Sequence, residues 1–184
     1  EELRRTIRQI QRELDMTTVL VTHDQEEAFA LADRIGVMHQ GRLLECGKPD
    51  DLYTRPATRF VSTFLGAANL LLGYRTARGV RFSSTPMAGG EVPREVVAIL
   101  RPEEVELCAD ELAIKSNFVS HGQVEEVLFG GAVERLRVRM ASDGPVPVAP
   151  GREGSTGQGS LLEVSRTLPE QRDFPVAVGQ RVAV

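Results

Sequence analysis

The spacing of apolar residues changes character once along this chain, close to residue 68. Upstream, Leu3, Ile7, Ile10 and Leu14 recur at helical spacing and predict an amphipathic helix over Glu1 to Leu14. Thr17 to Val21, TTVLV, is apolar and β-branched without alternation, which predicts a strand buried on both faces, as in a parallel sheet. Asp24 follows as an N-cap, with Glu27 three residues on completing a capping-box pattern, so a helix should begin directly after His23. Arg34 to His39 predicts a second strand, Gln40-Gly41 a tight turn, and Arg42 to Glu45 its antiparallel return. Pro49 suits the first turn of a short helix through Leu52, and Pro56 interrupts before a helix over Thr58 to Leu65 that Gly66 ends. Its stripe of Phe60, Val61, Phe64 and Leu65 is expected to be packing surface.

From Asn69 the helical period gives way to short β runs separated by Gly, Pro, Ser and Asp. They are Leu70 to Tyr74, Val80 to Phe82, Val96 to Leu100, Val105 to Leu107, Gln123 to Leu128, Val133 to Met140, Leu161 to Ser165 and Gln180 to Val184. Many short strands at this spacing predict an all-β domain, a small barrel or sandwich. Asp143 to Ser160 is rich in Gly and Pro and is expected to be a long mobile hairpin or disordered loop. Its Gly154, Gly157 and Gly159 lack the lysine, preceding strand and following helix of a phosphate cradle.

Composition narrows the classes of function. At 184 residues, 41% apolar and 26% charged, the chain can bury cores, and no apolar run approaches the ~20 residues of a spanning helix. The net charge of −4 is spread evenly, with 9 basic and 11 acidic residues through Ala68 and 13 and 15 beyond it. Without a basic stripe, nucleic acid is not an expected partner. Cys46 and Cys108 are far apart and have no C-x-x-C spacing, and His23, His39 and His121 are scattered. Those spacings favour free thiols in a reducing compartment and argue against a metal site.

The candidate chemistry lies at His23, at the carboxyl end of the predicted strand and just before the Asp24 cap. A strand that ends where a helix starts points free N–H groups and the positive end of the helix dipole at its neighbour, a place that suits a phosphate. Open α/β sheets place ligands at such strand ends. A histidine there also serves simply to bond a strand or helix end, and Asp24, Gln25, Glu26 and Glu27 suit a cap and a solvated face better than catalysis.

The order Thr22-His23-Asp24-Gln25-Glu26-Glu27-Ala28, Ala32-Asp33-Arg34-Ile35, Val37-Met38, Gly41-Arg42, Gly47-Lys48-Pro49, Leu52-Tyr53 and Arg55-Pro56 resembles the C-terminal third of ABC transporter ATP-binding subunits. Phe60-Val61, Phe64-Leu65-Gly66 and Asn69 are similar to the importer subgroup that serves maltose, polyamines, ferric iron and sulfate. Asn69 with Leu71 and Gly73, Ile99-Leu100-Arg101-Pro102-Glu103, Phe129-Gly130 and Val178-Gly179-Gln180-Arg181-Val182 resemble the transport-associated OB-type domain appended to those subunits.

The resemblance implies an α/β remnant of a P-loop NTPase domain over residues 1–68, followed by an all-β OB-like barrel over 69–184. It implies that His23 is the switch histidine, contacting the γ-phosphate of ATP and the attacking water, and that Asn69, Arg101, Pro102 and Glu103 are regulatory or structural. Arg101 is expected to turn the chain or pair with a carboxylate rather than to bind a ligand.

The family's phosphate loop, Leu-Ser-Gly-Gly-Gln signature and strand ending in Asp-Glu are absent from these 184 residues. The expectation is therefore a fragment that begins after them, cannot hydrolyse ATP alone, and leaves residues 1 to 65 loosely folded or paired with a second copy. In the full subunit the implied cofactors are ATP and Mg2+. The implied partners are a second copy of the ATPase subunit, the membrane subunits and, indirectly, a solute-binding protein, at the inner face of the cell membrane. Two other readings stand beside this one: a standalone regulatory module whose β-domain binds a small anion or a partner protein, and an interaction protein that dimerises through its barrel.

Overall fold

In the computed structural model, residues 2–76, 79–82, 94–116, 118–141 and 161–184 are described. They fall into two units, Glu1–Ala67 and Ala68–Val184. The loop expected over Asp143 to Ser160 lies outside the described residues.

The first unit carries helices α1 (Glu2–Glu13), α2 (Gln25–Leu31), α3 (Pro49–Thr54) and α4 (Arg59–Phe64), with the hairpin β1 (Ile35–His39) and β2 (Arg42–Gly47) between α2 and α3. The hairpin turns on Gln40 and Gly41, both at positive φ, the conformation that lets a two-residue turn follow the twist of the strands. Pro49 opens α3, and Thr58 caps α4 by accepting the Val61 N–H at 3.3 Å. Glu45 on β2 holds the intervening loop by accepting from the Ala57 N–H, the Thr58 N–H and the Thr58 hydroxyl at 2.9, 2.8 and 2.6 Å. Ile35, Val37, Leu52, Val61 and Leu65 form the buried core, with Phe29 and Phe60 packed against it. Of the expected α4 stripe, Val61 and Leu65 are buried while Phe64 stays exposed.

Two expectations for this unit need correction. Thr17 to Val21 has no strand partner among the described residues, and the one sheet here is the antiparallel β1–β2 pair, not a parallel sheet. Val19 and Val21 are 87% and 91% exposed. An apolar run buries only against something, and the unit offers nothing on either side of this one. The stripe of α1 is likewise open, with Ile7, Ile10 and Leu14 exposed.

The second unit is built on two antiparallel sheets. Strands β3 (Asn69–Thr76), β4 (Gly79–Phe82) and β5 (Arg94–Leu100) make one, ordered β4-β3-β5. Strands β6 (His121–Phe129), β7 (Val133–Met140), β8 (Leu161–Thr167) and β9 (Arg181–Ala183) make the other, ordered β8-β7-β6-β9. No ladder joins the two among the described residues.

Leu136, Val138 and Met140 on β7 alternate inward beside Leu162 and Val164 on β8 and Val124 on β6, and Leu71, Val105, Leu107, Val182 and Val184 complete the core. Gly122 lies where a Cβ would meet Val138 Cγ1 at 2.5 Å, so only glycine lets β6 and β7 approach there. Val105 to Leu107, expected as a strand, is irregular and reaches β9 through one bridge, Cys108 to Ala183. Helix α5 (Leu168–Asp173) was not anticipated; Thr167 N–H and Oγ both donate to Glu170, at 2.7 and 2.6 Å. Those bonds hold the Glu170 carboxyl below its usual range.

Glu134 and Arg166 occupy inward positions directly across β7 and β8. The Arg166 guanidinium, buried with the carboxylate, donates from Nε to Glu134 Oε2 at 3.2 Å and from Nη2 to the same oxygen, while Nη1 donates to the Phe174 carbonyl at 2.7 Å. Truncating one partner strands the other charge away from water. Glu134→Ala is expected to destabilise this unit by about 3 kcal/mol in denaturant unfolding, and Glu134→Leu combined with Arg166→Met to recover most of that loss.

The two thiols also differ. Burial, reinforced by the Glu106 and Asp110 carboxylates and opposed by Lys115, pushes the Cys108 thiol above its ordinary range, whereas Cys46 is exposed. Fewer thiolates form at a raised pKa, so iodoacetamide at pH 8 is expected to label Cys46 before Cys108, with the gap narrowing as pH rises. Mass spectrometry of timed samples checks this.

Candidate functional site

His23 sits in the bend between the extended Thr17 to Val21 segment and α2, with its ring exposed. The bend is closed by a ring of local bonds. The Thr22 hydroxyl accepts the Asp24 N–H at 3.0 Å and donates to Glu27 Oε2 at 2.7 Å; Asp24 Oδ1 accepts the Glu27 N–H at 3.1 Å. This differs from the expected capping box in one respect. The Glu27 carboxylate reaches the Asp24 N–H through the Thr22 hydroxyl instead of binding the cap amide directly, which brings Thr22 into the motif. His23 is the residue inside this loop whose side chain takes no part in it.

Further ties fix α2 from outside. On α1, Arg4 pairs with Asp24 and Glu26, each at 3.7 Å, and Arg8 donates to the Ala30 carbonyl at 3.1 Å and to Asp33 at 3.3 Å. Gln25 Nε2 donates to the Phe64 carbonyl at the end of α4. Phe29 meets Tyr53 of α3 edge-on, with ring centroids 5.9 Å apart. A seven-residue helix is too short to hold its shape alone, so these contacts are what keep its first turn in place.

The other candidates, Asn69, Arg101, Pro102 and Glu103, lie in the second unit. Asn69 is buried, and its side-chain amide copies a strand neighbour: Nδ2 donates to the Glu163 carbonyl at 2.7 Å and Oδ1 accepts the Glu163 N–H at 2.8 Å. That amide joins β3 to β8, and so the first sheet to the second. Arg101 is buried at the entrance to a single 3-10 turn, Pro102–Glu104. Its N–H donates to Glu104 Oε2 at 2.9 Å, and the Glu104 N–H donates to its carbonyl at 3.0 Å. Pro102 is buried and Glu103 exposed. These positions turn and fasten the chain. Residues missed from sequence were Thr22 as the hinge of the bend and the Glu134–Arg166 pair; for the pair, the signal was present as opposite charges on the inward parity of two strands.

The chain belongs to the family of ABC importer ATP-binding subunits. It is 36% identical over 190 residues to the spermidine/putrescine import ATP-binding protein PotA of Oleidesulfovibrio alaskensis, an alignment covering 97% of this chain and 48% of that protein. It is 35% identical over 188 residues to the sn-glycerol-3-phosphate import ATP-binding protein UgpC 3 of Agrobacterium fabrum, covering 98% and 52%. Over 109 residues it is 42% identical to the Fe(3+) ions import ATP-binding protein FbpC of Fusobacterium nucleatum, covering 56% and 29%. The chain thus spans about half or less of the length of these curated relatives. No protein-family model matches it.

No helix among the described residues is long and apolar enough to cross a membrane. Asp24→Ala is expected to cost about 1 kcal/mol at the start of α2. Amide exchange of Glu27 should quicken by about fivefold, while that of Val138 in the β core stays unchanged.

Proposed function

We propose that this chain is the C-terminal portion of the ATP-hydrolysing subunit of an ABC importer, with His23 holding the γ-phosphate of ATP and orienting the attacking water. The observation that carries the reading is the bend itself, in which Thr22, Asp24 and Glu27 spend their bonds on one another and leave the His23 ring open to solvent. Phosphoryl transfer leaves little covalent work to the protein, and its demands are positioning and stabilisation of the charge on the transferred oxygens. An imidazole fixed at a helix start meets both. One ring nitrogen can donate to a γ-phosphate oxygen while the helix N–H groups add positive potential beside it.

Residues 1–68 serve in this reading as the switch-histidine end of the nucleotide-binding domain, and 69–184 as an OB-type regulatory and dimerisation domain. ATP is the substrate. Mg2+ accompanies ATP in the intact subunit. The phosphate loop and signature are absent from the sequence, and the 184 residues by themselves do not hydrolyse ATP. The working partners are a second copy of the subunit and membrane subunits that receive the conformational change, with the subunit peripheral on the cytoplasmic side.

His23→Ala in the full-length subunit is expected to lower kcat by at least about a hundredfold, the usual scale for losing one group aimed at transition-state charge. ATP affinity by equilibrium binding should stay within about twofold. Turnover at the wild-type rate by this variant would remove His23 from the reaction.

A further inference from the structure

We propose that Gln25 is a positioning residue for His23, tying the exposed bend to the fixed end of α4; this rests on the catalytic reading of His23. The bonds among Thr22, Asp24 and Glu27 give the bend its shape, but all three residues belong to the same surface segment. They cannot set where that segment lies. The α1 contacts come from arginine side chains: three pairs reach exposed carboxylates, which hold weakly in water, and the Arg8 bond to the Ala30 carbonyl falls at the far end of α2 from the bend.

Gln25 is different. It is the first residue of α2, two positions from His23, and its Nε2 donates to the Phe64 carbonyl, one of the last-turn carbonyls of α4 for which no helical N–H follows. That carbonyl is anchored from beneath. Val61 and Leu65, on either side of Phe64 in the last turn, are at most 2% exposed in the core, and Phe60 stacks on both Phe64 and His39. Gln25 therefore joins the positive end of one short helix to the negative end of another, a favourable pairing of dipoles, and connects the bend to the buried core.

The donor is the essential feature of the side chain. Glutamate at this position has the same shape but, when ionised, turns an oxygen toward the Phe64 carbonyl. The bond becomes a repulsion, and it returns only when the carboxyl is protonated.

The test uses Gln25→Ala and Gln25→Glu in the full-length subunit, with His23→Ala alongside. A misplaced catalytic group loses rate without losing substrate, so kcat is expected to fall by about tenfold in both Gln25 variants at pH 8, with KM for ATP within about twofold of wild type. The ratio of Gln25→Glu to wild-type kcat should climb as pH is lowered from 8 to 5.5, while the ratio for Gln25→Ala stays flat. If His23→Ala abolishes turnover but both Gln25 variants retain wild-type kcat, the inference fails and the catalytic reading survives. A loss carried by KM, or a Gln25→Glu ratio that does not move with pH, overturns it equally. If His23→Ala turns over normally, the catalytic reading itself has failed.

Discussion

Every backbone amide and carbonyl taken out of water must find a partner, and the two units meet that constraint in opposite ways. In the second unit, paired strands consume the backbone groups, and where no strand is available a side chain substitutes. The Asn69 amide presents one donor and one acceptor to the two sides of Glu163, as a neighbouring strand would, and it does so at the place where the β3 sheet meets the β8 sheet. In the first unit the extended Thr17 to Val21 segment has no such partner among the described residues, and its backbone remains beside exposed side chains such as Val19 and Val21. The same requirement produces a closed core in one unit and an open edge in the other.

Sequence reasoning succeeded where local chemistry dictates the conformation. Gln40-Gly41 makes its turn, Pro49 opens its helix, α4 lies within the expected Thr58 to Leu65, Gly66 takes a positive φ after it, and Val133 to Met140 is a strand as expected. It failed where the outcome depends on what lies alongside. TTVLV has the composition of a buried strand, yet composition specifies a preference for neighbours and cannot supply them. Val105 to Leu107 forms no strand: Val105 and Leu107 pack in the core, Glu106 accepts the Lys115 and Ser116 N–H groups, and the bridge to β9 falls just beyond, at Cys108. Helix α5 is announced by Thr167-Leu168-Pro169-Glu170, a capping box with proline at an early helical position, and that signal was overlooked beside the stronger β pattern around it.

The candidate site shows the same division. The helix start beside His23 was legible, because Asp24 caps α2 as the acid pattern after the histidine predicts. The part of Thr22 was not, because a hydroxyl one residue before a histidine carries no spacing rule; only coordinates show it relaying Glu27 to the Asp24 amide. Arg101 illustrates the converse. A conspicuous Leu-Arg-Pro-Glu motif marks a turn with Arg101 and Pro102 buried, in which Glu104 binds the Arg101 amide.

A group that acts on a phosphate has to be accessible to it and yet held within a fraction of an ångström, and burial, the usual way to fix a side chain, would defeat the first need. In the reading proposed for His23, the chain resolves this by fixing the backbone on both sides of the ring and leaving the ring alone. Helix α2, at seven residues, contributes little rigidity of its own. Its order is borrowed from Leu31 and Phe29 on the core side, from Arg4 and Arg8 on α1, and from Gln25 on α4. The placement of the histidine is thus a property of the helices packed around the bend more than of the bend's own sequence, and a change in any of those elements that spares the core would reach His23 through the same few side chains.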